Sequence, residues 1–235
     1  MILSFINLYL KKTQMKKALK SILSITIVLN FGINTYSQSI EQNKNELVIL
    51  AGTIQPFLLQ GGNFEVDFYT SKMVFNYSHG FSLDMNSEKG TTVGEVKEQS
   101  LAIHLPYSTG FGIGYRLNKY FDVRIETKMH KFNIYYDSTD RKKSLNQITD
   151  YRTITVGLGA YFRWKPFEKN EDWTKGIFTS TSLRFWPKVS SSLKIGEVNY
   201  HNRITLKNET HKTANIGIAN SPIIYNFSIG YSVQF

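Results

Sequence analysis

Residues 223–235 read IIYNFSIGYSVQF. Every second position gives Ile223, Tyr225, Phe227, Ile229, Tyr231, Val233 and Phe235, all apolar or aromatic. Between them stand Asn226, Ser228, Gly230, Ser232 and Gln234, polar or small, with Ile224 the exception. Side chains on a strand point alternately to its two faces, so this is a strand with one apolar side and one polar side. It ends on an aromatic residue.

The same alternation runs upstream. In the hairpin beginning at Leu101, one face is expected to carry Leu101, Ile103, Leu105, Tyr107, Phe111, Ile113 and Tyr115. The other carries Ala102, His104, Ser108, Gly110, Gly112 and Gly114. After a turn at Leu117-Asn118-Lys119, the return strand sets Phe121, Val123, Ile125 and Met129 against Asp122, Arg124, Glu126, Lys128 and His130. Period-two alternation of this length is poor helix and good strand. The phase is expected to slip over 131–136, at a bulge or at the end of the membrane zone. Further strands are read at 47–54, 64–69, 73–83, 154–164 and 177–186, with Met73, Phe75, Tyr77, Phe81 and Leu83 on one apolar face.

The connectors alternate in length. Those at 70–72, 116–120 and 165–175 are the short set, and those at 84–98, 137–150 and 188–222 are longer and more polar. Transmembrane β-barrels show this asymmetry, with an even strand count. The expected fold is all-β: an antiparallel transmembrane barrel of eight strands, or ten if a hairpin within 188–222 reaches the membrane. The soluble rival is a lipocalin-like barrel with its apolar face inward. Energy decides between registers in lipid, because a lipid-facing Arg or Lys costs roughly 2–4 kcal/mol. Arg124 and Lys128 are therefore expected to face the lumen.

The N-terminal segment supports export. Met15 opens a stretch with Lys16, Lys17 and Lys20, an apolar run over about 22–33, and small residues at Thr35 and Ser37. This is the layout of a secretory signal peptide, too short for a spanning helix of roughly 20 residues. The expected organisation is a removed signal at 1–37, with the true start at Met15, and one barrel domain at 38–235. The chain carries 28 Lys and Arg against 18 Asp and Glu, a net charge of +10. Five of those lysines lie before Gln38, so the exported part stands at only +5. No nucleic-acid motif accompanies the charge, and nucleic acid is not an expected partner. With no cysteine, disulfides, thiol nucleophiles and a lipid-anchor cysteine are excluded.

The candidate lumen network is Asp122, Arg124, Glu126, Lys128 and His130 with Glu65, Asp67, Arg163 and Arg184, and Arg116 shares the lumen phase. Rungs about 7 Å apart form a charge ladder that either plugs the lumen or lines a narrow conduit. An aromatic girdle is expected at Tyr115, Phe121, Phe162, Trp164 and Phe235 on one rim. Tyr77, Phe81, Tyr135, Tyr136, Tyr151 and Trp186 would form the other. His79 with Ser78, Ser82 and Asp84 holds the materials of acyl transfer, but sequence proximity does not place a base on a nucleophile. His104 and His130 lack a third ligand at metal spacing, so no metal and no cofactor are expected.

The terminal pattern Phe227, Ile229, Tyr231, Val233 and Phe235 resembles the assembly signal of bacterial outer-membrane barrels. As a whole the chain resembles the small barrels typified by outer membrane proteins A, X and W. Asp137-Ser138-Thr139 resembles the short O-glycosylation signal of Bacteroidota, which suggests that source. These resemblances imply an integral, monomeric, non-enzymatic outer-membrane barrel. Its partners would be the barrel-assembly machinery, outer-membrane lipid and lipopolysaccharide, whose phosphates Arg141-Lys142-Lys143 would contact. The alternatives are a barrel transporting small or hydrophobic solutes and a lipid A-modifying enzyme.

Overall fold

A computed structural model describes residues 45–87, 90–92, 94–137, 146–215 and 221–235. The signal-peptide reading, most of the polar lead after it, Ser138-Thr139 and Arg141-Lys142-Lys143 lie outside the described residues.

The strands are β1 (Glu46–Gly52), β2 (Gly62–Tyr69), β3 (Met73–Met85), β4 (Leu101–Arg116), β5 (Phe121–Tyr136), β6 (Gln147–Trp164), β7 (Ile177–Phe185), β8 (Lys188–Ser191), β9 (Glu197–Asn202), β10 (Lys207–Lys212) and β11 (Ile223–Gln234). β1 to β7 and β11 form a closed antiparallel barrel of eight strands. Neighbours in sequence pair in order, and β11 closes the ring between β7 and β1, with Ile49 opposite Tyr231. Among the described residues the ten-strand alternative does not occur: β9 and β10 pair only with each other, and β8 only extends the wall of β6.

The barrel is inverted relative to a soluble one. Along β5 the odd residues Phe121 to Met129 are exposed and the even residues Asp122 to His130 are buried. β6 shows the same split, with Ile154, Val156, Leu158, Phe162 and Trp164 outside. Leu158 is 61% exposed and Arg124 1%. The apolar belt ends toward the loop end at Lys131 and Asp150, which form an ion pair.

Three expectations about phase need correction. Leu83, Leu101, Ile103 and Leu105 face inward, into a cluster with Met85, Phe132, Ile134, Tyr136 and Tyr151. The cause is a paired irregularity. Ser82 adopts a left-handed φ of 52°, and the β4–β5 register shifts between His104 and Ser108, around Pro106. Leu83 then pairs with Leu105 on the opposite phase from Phe81 and Tyr107. Each slip of one residue exchanges the faces of a strand. Second, the inward set of β5 runs past 131, since Phe132, Ile134 and Tyr136 continue the even positions while the interior changes from charged to apolar. The expected irregularity lies in the pairing, where the β4–β5 register shifts opposite His130–Asn133 and the β5–β6 register shifts between Ile134 and Tyr135. Third, Tyr135, Tyr136, Tyr151 and Trp186 are buried rather than part of a girdle. Trp186 shares the parity of Ser182 and Arg184, which places it in the lumen.

Candidate functional site

The lumen is the site with the densest chemistry. Its centre is Arg124, whose five N–H donors all meet acceptors. Nε donates to Asp122 Oδ1 at 2.6 Å. Nη1 donates to Glu65 Oε1 at 2.8 Å and Asp67 Oδ1 at 3.0 Å. Nη2 donates to Asp67 Oδ2 at 2.9 Å and to the Tyr69 hydroxyl at 2.7 Å. A guanidinium carries five donors and no acceptor, so this shell leaves none unmet. The Tyr69 hydroxyl in turn donates to Asp67 Oδ2. The Arg124 guanidinium also lies 3.7 Å from the centre of the Tyr161 ring.

Two further arginines complete the pairing. Arg163 Nε lies 2.8 Å from Asp122 Oδ2, and Arg184 Nη2 donates to Glu65 Oε2 at 2.8 Å. Glu126 is held by neutral donors: the Tyr161 hydroxyl at 2.8 Å and the Trp186 indole N–H at 3.0 Å. Buried charges persist when paired and hydrogen-bonded, and Arg124, Arg163 and Arg184 with Glu65, Asp67 and Asp122 meet that condition. Glu65, Asp67, Asp122, Arg124, Glu126, Lys128, His130, Arg163 and Arg184 are all buried in the lumen.

Glycines make room for the ladder. Gly110, Gly112 and Gly114 of β4 stand opposite Lys128, Glu126 and Arg124, and Gly157 and Gly159 of β6 stand opposite Glu126 and Arg124. A Cβ at Gly114 would come within 2.7 Å of Arg124 Cγ, and one at Gly112 within 2.8 Å of Glu126 Cγ. The spaced glycines on both neighbours of the charged strand were the signal in the sequence for where the long side chains fold over.

Other candidates disperse. Ser78 is buried and faces inward, while His79 packs outside among Phe64, Tyr77 and Phe81. Asp84 pairs with His104 at 2.7 Å instead. His130 is separate, with Nδ1 2.8 Å from Ser108 Oγ and Nε2 2.9 Å from Thr155 Oγ1. That serine–histidine contact was not anticipated, because the shift near Pro106 sets its register. Its third member is a hydroxyl, not the carboxylate of a catalytic triad. Among the described residues there is no cluster of three metal-ligating side chains.

The loop end is capped. Tyr136 donates to the His201 carbonyl, Gln99 to the Thr210 carbonyl, and Asn202 to the Gln99 carbonyl, which seats the β9–β10 hairpin. The Tyr151 hydroxyl lies 3.0 Å from His211 Nε2 and accepts from Ala214 N–H. Burial, with the Lys188 ammonium adding to it, pushes His211 down to about 4. Of the expected girdle, Tyr115, Phe121, Phe162, Trp164 and Phe235 are exposed on the outer face. In β11, Ile229, Tyr231 and Val233 are exposed on that face too, and Phe227 is partly buried. No protein-family model, no curated protein and no solved structure matches the chain.

Proposed function

We propose that the protein is an integral outer-membrane β-barrel with a plugged, non-conducting lumen, presenting its capped loop end at the cell surface. The observation that carries this reading is the inverted barrel: an apolar belt outside and a paired charge network inside. Soluble monomers rarely expose contiguous apolar patches beyond a few hundred Å². Here Ile125, Leu158, Leu183, Tyr225 and Val233 are each more than half exposed on a continuous wall. The nine to eleven residues that a tilted spanning strand requires are available from Phe121 to Met129 and from Ile154 to Trp164. The signal-like N-terminal stretch and the terminal aromatic pattern support export and assembly by the barrel machinery. The reading assigns no catalysis, and it leaves surface contacts, lipopolysaccharide among them, to the loops.

The test is planar-bilayer conductance of refolded protein, with a heat-dependent gel shift establishing that the barrel has formed. A folded, inserted and silent barrel is expected. Discrete current steps would replace the plug with a conduit, and exchanging ladder charges for alanine would then raise the current rather than merely destabilise the barrel.

A further inference from the structure

Between the charge network and the apolar cluster lies a cavity of about 310 Å³, within the size range of small-molecule sites. Its floor is Lys128 and Arg184 beside the Trp186 ring, and Leu59, Met85 and Leu105 line its walls. Both cations sit against that indole, at 4.3 Å and 5.0 Å from the ring centre. The charge network lies below it, and the apolar cluster and the β9–β10 hairpin lie above it.

The mouth opens in the flank. β1 ends at Gly52, opposite Ser228, and one further bond from Thr53 N–H reaches the Phe227 carbonyl. Beyond it, among the described residues, β11 pairs only with β7, up to Ile223 opposite Phe185. The one-turn helix Ile54–Leu58 lies across the gap, with Gln55 Nε2 donating to Asn226 Oδ1 at 3.1 Å. Ile223 and Tyr225, 57% and 58% exposed, and Leu58, 44% exposed, stand at this opening. A molecule entering here comes through the apolar flank.

Among the described residues no carboxylate touches the Lys128 ammonium, although Glu126, Glu65 and Asp67 act on it from a distance. Lys128 is 4% exposed, yet among the described residues its ammonium has no hydrogen bond and no ion pair, only the Trp186 ring. Arg184 spends Nε on Ser182 and Nη2 on Glu65, and its Nη1 is uncommitted among the described residues. Glu65, Asp67, Asp122 and Glu126 are already held by other donors. A buried cation without an acceptor is costly, and an anion reaching it would relieve that cost.

We propose that this cavity binds a long-chain fatty acid, with its carboxylate on Lys128 and Arg184 and its chain leaving through the flank between β11 and the one-turn helix. The chain's path into lipid rests on the membrane reading above. The site joins what such a ligand needs: two donors in a water-poor pocket and apolar walls that continue to an apolar surface.

Equilibrium dialysis of radiolabelled palmitate against the refolded protein in a nonionic detergent, with the micelle background subtracted, tests this. Saturable binding of one palmitate per chain is expected. Lys128→Met should weaken it about tenfold or more, the scale of a lost charge-assisted bond, and Lys128→Arg should retain it. Hexadecanol, which lacks the charge, should bind wild type and Lys128→Met alike. Gly80 borders the cavity, and a Cβ there meets Leu83 Cδ1 at 3.4 Å and Ser108 Cβ at 3.6 Å, ordinary contacts. Gly80→Leu should therefore fill the pocket and abolish binding of both probes while the gel shift persists. Absence of saturable palmitate binding in protein that shows the gel shift and inserts into vesicles overturns the proposal and leaves the membrane reading standing. Palmitate binding unchanged by Lys128→Met overturns it as well. Failure of well-folded protein to insert into vesicles removes the membrane reading, and the proposed route with it.

Discussion

Arg124 shows how one side chain organises a lumen. Deleting its charge leaves the carboxylates unequally served, because Glu65 keeps Arg184 and Asp122 keeps Arg163, while Asp67 keeps only Tyr69. Breaking a buried pair from one side typically costs about 3–5 kcal/mol. Arg124→Met should lower the urea-unfolding free energy in lipid vesicles by that order. Adding Asp67→Asn should recover part of the loss, since the stranded charge is then gone. An additive double mutant would show that the two residues are not coupled. Arg124→Lys should not rescue the barrel, because an ammonium cannot reproduce a five-donor planar fork.

At the scale of elements, the paired irregularity at Ser82 and Pro106 changes what β3 and β4 do. Below it they present glycine and serine to the charge network, and above it they present leucine to an apolar core. Leu105 is fully buried, whereas Phe111, on the same strand, is 65% exposed. Leu105→Ala should cost about 2–5 kcal/mol by the cavity it leaves. Phe111→Ala should cost distinctly less, as read by urea titration in the same vesicles. Equal losses would place Leu105 back on the outer face.

The β9–β10 hairpin makes a second prediction, through His211, which is buried beside Lys188 and Tyr151. Its folded value, about 4, lies below the ordinary 6.5. Between those values the opened hairpin binds more protons than the closed one, so closure is favoured as pH rises and weakened as pH falls from about 6.5 toward 4. Amide exchange over 197–212, corrected for the intrinsic rate, should quicken at pH 5 relative to pH 7 in wild type. It should change much less in His211→Phe. Equal protection of the wild type at both pH values would remove His211 as the titrating group.

For the whole molecule, the solvent of the outer wall matters most. Leu158 is exposed near the middle of the belt. On a water-soluble barrel, Leu158→Arg would be nearly neutral, as surface changes usually are. In a bilayer it should cost roughly 2–4 kcal/mol, because the charge faces hydrocarbon. Comparing folding free energies of wild type and variant in vesicles separates the two, and a neutral variant would argue that this wall does not meet lipid. The same geometry sets the opening beside β11 and the one-turn helix in the lateral wall.

The order of the strands, the inward set on β5 and the apolar set on β11 were legible in the chain, because a strand's period is two and one polar face needs no knowledge of its neighbours. The eight-stranded closure agrees with the alternation of short and long connectors. Trp186, read as a girdle residue, shares the parity of Ser182 and Arg184 and lies in the lumen. Other features depended on contacts between distant segments. The inward turn of Leu83 and Leu105 required a left-handed Ser82 beside a register shift at Pro106, and neither is encoded by hydrophobic alternation. The Ser108–His130 contact follows from that shift. Among the described residues the Lys128 ammonium lacks a direct partner because each neighbouring carboxylate is held by another donor in the assembled lumen. Alternation along one strand is a local property, and the sequence alone determined it. Which charges meet, and where the wall is left open, is decided by pairing across strands, because these contacts join residues far apart in the chain.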